Sequence, residues 1–347
     1  MPLPPPSPPK RVMLLGATGT IGQATAQALL AAGHQVTCFV RQPTPAKSEG
    51  VARALSGATC RFGEVTDPDA LANHGFRGER FDALVTCLAS RNGAPKDAWA
   101  IDYTANSNAL TAAQQAGVSH VIVLSALCVQ KPRLAFQKAK LTFEQDVIAS
   151  GLTYSIVRPT AFFKSVSGQI DRVKRGKAFL VFGDGSATPS KPISDRDLAD
   201  FLVLCLSDPE LANRVLPIGG PGPAISPREM GEELFRLAGR SPRFQSVPAG
   251  LFRSLARVLD AVGTAIPALQ TKAEFLRIAH YYGTEAMLLW DHEAGRYDAD
   301  ATPSFGRDRL FDFYRTQMAS ETRVDLGAHA IFDRNAASAP ASQADAG

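Results

Sequence analysis

Gly16, Gly19 and Gly22 follow the apolar run Val12-Met13-Leu14-Leu15, with Ala17, Thr18, Thr20 and Ile21 filling the intervals. A strand, a glycine-rich turn and the first turn of a helix, in that order, make a site for a diphosphate. Gly16 permits the tight turn, Gly19 lets the backbone approach the anion, and Gly22 lets helix and strand pack closely. The pyrophosphate then sits at the positive end of the helix. The strand–helix context, not the bare spacing, makes the triplet informative. Arg41 ends the second apolar run, nineteen residues after Gly22. A site for the unphosphorylated dinucleotide usually carries an acid there, on the ribose 2′-hydroxyl, yet no Asp or Glu precedes Glu49. A carboxylate would repel a 2′-phosphate, whereas the Arg41 guanidinium makes a charge-assisted contact to it, with Lys47 placed to assist. The expected cofactor is NADP(H) rather than NAD(H).

The elements that must hold these residues are short apolar runs alternating with helical patterns. Strands are expected at Val12–Leu15, Val36–Val40, Cys60–Phe62, Ala83–Leu88, Val121–Leu124 and Tyr154–Val157, with helices at Ile21–Ala32, Ala105–Ala116 and Ala135–Ala149. Continuous apolar runs separated by helices predict an α/β fold, a Rossmann-like doubly wound parallel sheet. Ligands of such sheets lie at the carboxyl ends of the strands. Glu64 and Val65 are therefore expected beside the adenine, and Cys87, Leu88 and Ala89 under the ribose and pyrophosphate. Ser125 ends the fifth strand, and Pro159 and Thr160 end the sixth. Beyond Thr160 the rhythm loosens. Further strands are expected at Phe179–Phe182 and Val215–Ile218. Ser226-Pro227-Arg228-Glu229 reads as a capping box opening a helix at Pro227–Leu237, and a second helix is expected at Ala249–Val262. The organisation predicted is a disordered proline-rich tail at 1–10, an NADP-binding Rossmann-like domain at 11–220, a smaller, mostly helical C-terminal substrate-binding part at 221–330 and a disordered tail at 331–347.

Composition excludes several other classes. A formal charge of +4 over 347 residues, without a basic block, gives no reason to expect nucleic acid. The five cysteines are widely spaced, and the six histidines form no metal-binding pair, so neither a disulfide framework nor a metal site is expected. No apolar run approaches the length of a membrane span. These features predict a soluble protein of a reducing compartment.

With its Gly-x-x-Gly-x-x-Gly fingerprint the chain resembles the short-chain dehydrogenase/reductase superfamily. Most of its members carry Tyr-x-x-x-Lys on the helix after the fifth strand, the tyrosine as acid and the lysine on the nicotinamide ribose. Here that helix reads Phe136-Gln137-Lys138-Ala139-Lys140. The lysine matches, but phenylalanine has no proton to give, which argues against ordinary carbonyl reduction.

Longer segments narrow the resemblance: Ser125–Pro132, Arg158–Ser165, Phe182–Gly185, Leu216–Gly222 and Ile278–Glu285. Together they resemble the divinyl chlorophyllide a 8-vinyl-reductases, atypical NADPH-dependent members of that superfamily, over roughly residues 11–320. The resemblance implies reduction of an 8-vinyl group to ethyl in chlorophyll or bacteriochlorophyll synthesis, in a bacterial, cytoplasmic form without a transit peptide. It makes a tetrapyrrole the partner, with peripheral membrane contact left open, and gives Lys140 the role of orienting the nicotinamide. Tyr281 or Tyr282 is the candidate proton donor, against water as donor and core packing as their ordinary role. Phe162 and Phe163 are expected to line the pigment slot. Lys164, with Arg172, Lys174, Arg175 and Lys177, is expected to attract the propionate, an exposed helix face being the competing reading of that run. His280 as a magnesium ligand is the weaker reading beside an ordinary surface or core histidine. The functional alternatives are an NADP(H)-binding redox-sensing regulator without catalysis and an isoflavone-reductase-like enzyme.

Overall fold

In Val12-Met13-Leu14-Leu15 every residue is fully buried, and alternate side chains enter two different cores. That double burial is why strand β1 (Arg11–Leu15) reads as a continuous apolar run rather than an alternating one. The computed structural model describes residues 8–248, 250, 252, 254–256, 259 and 267–320. Residues 1–7 of the tail expected at 1–10, the tail expected at 331–347, and much of the helix expected at Ala249–Val262 lie outside the described residues.

Around β1 stand β2 (Gln35–Val40), β3 (Thr59–Phe62), β4 (Ala83–Thr86), β5 (His120–Leu124), β6 (Thr153–Pro159) and β8 (Arg214–Ile218), in the order β3-β2-β1-β4-β5-β6-β8. All pairings are parallel. This is the doubly wound parallel sheet predicted, and its strand order reverses direction between β1 and β4. On one face lie α1 (Thr20–Ala31) and the helix Asp195–Leu204, over Val12, Leu14, Val36 and Cys38. The other face is covered by the helices Asn106–Gln115 and Ala135–Ala149, over Met13, Leu15, Phe39 and Leu84.

A third core gathers Phe163, Ile170, Val173, Phe179, Val181, Met230, Leu234, Phe235, Leu310 and Tyr314, so it draws on both sides of residue 220. Phe179–Phe182 forms a strand (β7) as expected, but it pairs in parallel with β9 (Phe244–Val247) in a sheet of its own. The helix Pro227–Leu237 begins where the capping box puts it: the Ser226 hydroxyl accepts from the Glu229 amide at 3.3 Å, and Glu229 accepts from the Ser226 amide at 2.8 Å.

The helix Pro267–Thr284 and a hairpin of β10 (Leu289–Asp291) and β11 (Arg296–Asp298) return the chain to the Rossmann part. Gln130 clasps the hairpin, donating to the Leu288 carbonyl at 2.7 Å and accepting from the Trp290 amide at 3.0 Å. The Lys131 ammonium sits 3.2 Å from the centroid of Trp290 and pairs with Glu285 at 3.1 Å. Burial opposes ionisation of Glu285, but hydrogen bonds from Tyr297 and Lys131 and the Arg133 charge hold its carboxyl below the ordinary range.

Candidate active site

The three glycines of the first turn meet different surroundings. Gly16 takes φ +75°, and a Cβ there would lie 2.5 Å from the Cys87 carbonyl carbon and oxygen, so the turns after β1 and β4 touch. A Cβ on Gly22 would lie 2.1 Å from the Gly16 oxygen; only glycine lets α1 start this close to its strand. Gly19 is exposed, and its nearest neighbour to such a Cβ is 3.4 Å away. The protein's own packing therefore requires Gly16 and Gly22 but not Gly19, where a Cβ would meet only an ordinary contact. Gly19 also caps α1, whose first residues Thr20 and Ile21 present backbone N–H groups. That cradle fits the pyrophosphate of a dinucleotide.

Arg41 is exposed just past β2 and makes no ion pair among the described residues; Lys47 is exposed in the first turn of the helix Pro45–Ala54. Both fit a 2′-phosphate and neither is committed to a carboxylate. Glu64 and Ala89 are exposed, Leu88 and Cys87 are half-buried, and Val65 is buried under the sheet. Burial pushes the Cys87 thiol up to about 12, against the Thr25 hydrogen bond and the Lys140 charge, so it stays neutral.

Lys140 does not point freely into the cleft. Its ammonium pairs with Asp102 at 3.0 Å, with the lysine side chain 11% exposed and the aspartate 1%. Asp102 lies in a π-helical stretch, Trp99–Ala105, between the turn Pro95–Ala98 and the helix Asn106–Gln115. Such a stretch widens the helix by one residue and often marks a functional position. Asn106 stabilises it, donating to the Ile101 carbonyl at 3.0 Å and accepting from the Thr86 hydroxyl at 2.6 Å. Sequence reading started this helix at Ala105 and missed both residues. The signal was an acid inside the apolar stretch Trp99-Ala100-Ile101-Asp102-Tyr103, the kind of residue that is buried only when paired.

Other expected site residues are already engaged. The Ser125 hydroxyl donates to Glu144, which also pairs with Arg158. The Thr160 hydroxyl donates to the Lys191 carbonyl, and Pro159 is buried at the end of β6. Phe162 packs on the α1 side of the sheet, whereas Phe163 is buried in the third core with its ring 5.5 Å from that of Phe313. The two neighbours thus face different surroundings. Lys164 donates to the Thr20 hydroxyl at 3.0 Å, across a groove of about 480 Å³ that Arg53 and Asp195 also line. Burial raises Asp195, with the Lys164 charge opposing. In the basic run, Arg172 donates to the Ala178 carbonyl and Lys174 to that of Ser320, while Arg175 and Lys177 are exposed.

Phe136 falls in a small apolar cluster with Cys128, Leu134, Ile278, Tyr281, Tyr282 and Met287. The Tyr281 hydroxyl donates to the Cys128 carbonyl at 2.9 Å, and that of Tyr282 faces the Cys128 sulfur at 3.8 Å. Burial raises both phenols above their ordinary range, so both stay protonated. His280, one residue earlier on the same helix, is half-buried.

The profile of a family described as NAD(P)H-binding matches residues 16–209. The chain is 44% identical over 332 residues to divinyl chlorophyllide a 8-vinyl-reductase of Cucumis sativus, covering 92% of this chain and 79% of that protein. It is 45% identical over 338 residues to the protein of the same name from Zea mays, covering 92% and 82%. Among solved structures it is similar to an NADPH-dependent quinone oxidoreductase of Escherichia coli, with TM-score 0.65 at 18% identity over 88% of this chain and 99% of that one. A triphenylmethane reductase of Citrobacter sp. gives TM-score 0.59 at 16% identity over 79% and 91%. At those identities the structures establish the fold, and the sequence likeness establishes the kinship: the chain belongs to the divinyl chlorophyllide a 8-vinyl-reductase family.

Proposed function

We propose that this protein reduces the 8-vinyl group of 3,8-divinyl chlorophyllide a to ethyl with NADPH as donor, giving 3-vinyl chlorophyllide a. The observation that carries this reading is the likeness to reductases of that name over 92% of the chain. Phenylalanine at 136 agrees with it: reduction of a carbon–carbon double bond forms no alkoxide, so the acid that ordinary ketone reduction requires at that position is not needed. Bound NADPH supplies the hydride, and the conjugated macrocycle accommodates the charge that hydride transfer leaves.

The chain's own residues then have distinct tasks. The open backbone at Gly19, Thr20 and Ile21 holds the pyrophosphate, and Arg41 with Lys47 binds the 2′-phosphate that distinguishes NADP(H). Lys140, fixed by Asp102, orients the nicotinamide ribose; positioning of this kind supplies a large share of a hydride-transfer barrier. Its contact with Thr20 at the start of α1 supports a phosphate role for Lys164 in preference to the propionate role. Exposed Arg175 and Lys177 remain the candidates for attracting the propionate, and Phe162 for walling the pigment slot. We also propose a bacterial, cytoplasmic setting in chlorophyll or bacteriochlorophyll synthesis, which the five free cysteines support, since unpaired thiols suit a reducing compartment. Among the described residues no helix is long and apolar enough to cross a membrane.

Label transfer tests the assignment. NADPH carrying deuterium at the transferable position should place one deuterium in the new ethyl group, and pigment recovered without label would refute hydride delivery to the vinyl group.

A further inference from the structure

We infer that Tyr282 is the proton donor of the reduction, presenting from the C-terminal part of the chain the phenol that position 136 lacks; this rests on the vinyl-reductase reading. Phe136 lies one helical turn before Lys140, on the helix Ala135–Ala149, and packs in one cluster with Cys128, Tyr281 and Tyr282. The Tyr282 hydroxyl stands 3.8 Å from the Cys128 sulfur within that cluster. A phenol from the helix Pro267–Thr284 therefore enters the neighbourhood from which a tyrosine at 136 would act.

The other acids nearby are disqualified by their contacts. Tyr281 is 3% exposed and its hydroxyl donates a hydrogen bond to the Cys128 backbone carbonyl. Ser125 is bound to the ionic pair of Glu144 and Arg158. The Cys128 thiol is 2% exposed. Tyr282 is more open than Tyr281 or Cys128, and its partner is a weakly accepting thiol, so moving its proton breaks little.

Reduction adds a hydride to one vinyl carbon and a proton to the other. Hydride from the nicotinamide at the terminal carbon leaves an electron pair on the inner carbon, spread into the macrocycle. The Tyr282 O–H bond then breaks, its proton completes the second C–H bond, and the phenolate regains a proton from solvent. A strongly basic carbon needs only a weak acid, and burial keeps this phenol protonated through the physiological range.

The test compares Tyr282→Phe, Tyr281→Phe and Cys128→Ala with wild type, measuring turnover with NADPH and, without cofactor, pigment binding by its absorbance shift. Tyr282→Phe should lose about 100-fold or more in turnover, the usual range for a general acid. Its pigment affinity should stay within about three-fold of wild type, because only a hydroxyl is removed; the same measurement reports that the variant is folded. Cys128→Ala should lose no more than about ten-fold, as for a neighbour that orients the phenol rather than one that gives the proton. Tyr282→Phe turning over within about three-fold of wild type would overturn the inference while leaving the vinyl-reductase reading intact. Equal losses in Cys128→Ala and Tyr282→Phe would move the acid to the thiol and overturn it too. Wild-type protein that binds pigment but never reduces it would remove both the inference and the reading beneath it.

Discussion

Arg41 is the residue on which cofactor choice turns, because it stands exposed where an acid would select the unphosphorylated dinucleotide. Arg41→Ala should weaken NADPH binding by about 10- to 100-fold, the equivalent of losing one charge-assisted contact of roughly 1.5–3 kcal/mol. NADH binding should change little, and nucleotide fluorescence titrations read both; equal losses for the two would separate Arg41 from the 2′-phosphate. At Lys140 the chemistry is one of position. Lys140→Ala should lower kcat by about 100-fold, as misplacement of a reacting group does, and turnover near wild type would deny it that role. Much of this was legible in the chain itself, since a glycine turn and the residue ending the next strand are set by local sequence. The fate of Ser125, Thr160 and Phe163 was not. Their neighbours Glu144, Lys191 and Phe313 arrive from distant segments, and nothing local announces them.

At the scale of elements, the π-helical stretch Trp99–Ala105 brings Asp102 onto Lys140. Asp102→Ala leaves a nearly buried ammonium without its counter-charge and should cost about 3 kcal/mol in urea unfolding. Adding Lys140→Met should recover part of that loss, and strict additivity of the two substitutions would show that the pair does not couple. Sequence periodicity could not disclose this arrangement, because a π-helical turn shifts every later side chain off the 3.6-residue pattern. By contrast, the helix Pro227–Leu237 was readable to the residue, since Ser226, Pro227 and Glu229 encode its start within four positions. Ser226→Ala should lower stability by about 1 kcal/mol with the cofactor affinity unchanged. β9 and the hairpin β10–β11 escaped notice for a different reason. They are strands of four and three residues whose pairing is set by partners elsewhere in the fold, too short for alternation to register.

For the molecule as a whole, the two sheet cores and the third core are joined by chain that crosses between them several times, and the Gln130–Lys131 clasp holds the C-terminal hairpin to the Rossmann sheet. Global stability should carry an acid-side signature from His120, buried in β5 within 3.1 Å of the Ser155 hydroxyl. Burial, helped by the Lys10 charge, lowers its pKa from 6.5 to about 4. The unfolded chain therefore takes up this proton first as pH falls. The stability His120 contributes is complete above 6.5 and drains away between 6.5 and about 4. His120→Asn should flatten the fall in Tm across that window, and an unchanged slope would assign the loss to other groups. One reaction must join the dinucleotide cleft to a pigment. Purified protein should be incubated with divinyl chlorophyllide a and either NADPH or NADH, and the pigment then examined by mass and absorption. With NADPH the pigment should gain two hydrogens and its Soret band should shift to the blue, with little change in the NADH sample. Unaltered pigment in the presence of bound NADPH would contradict the account.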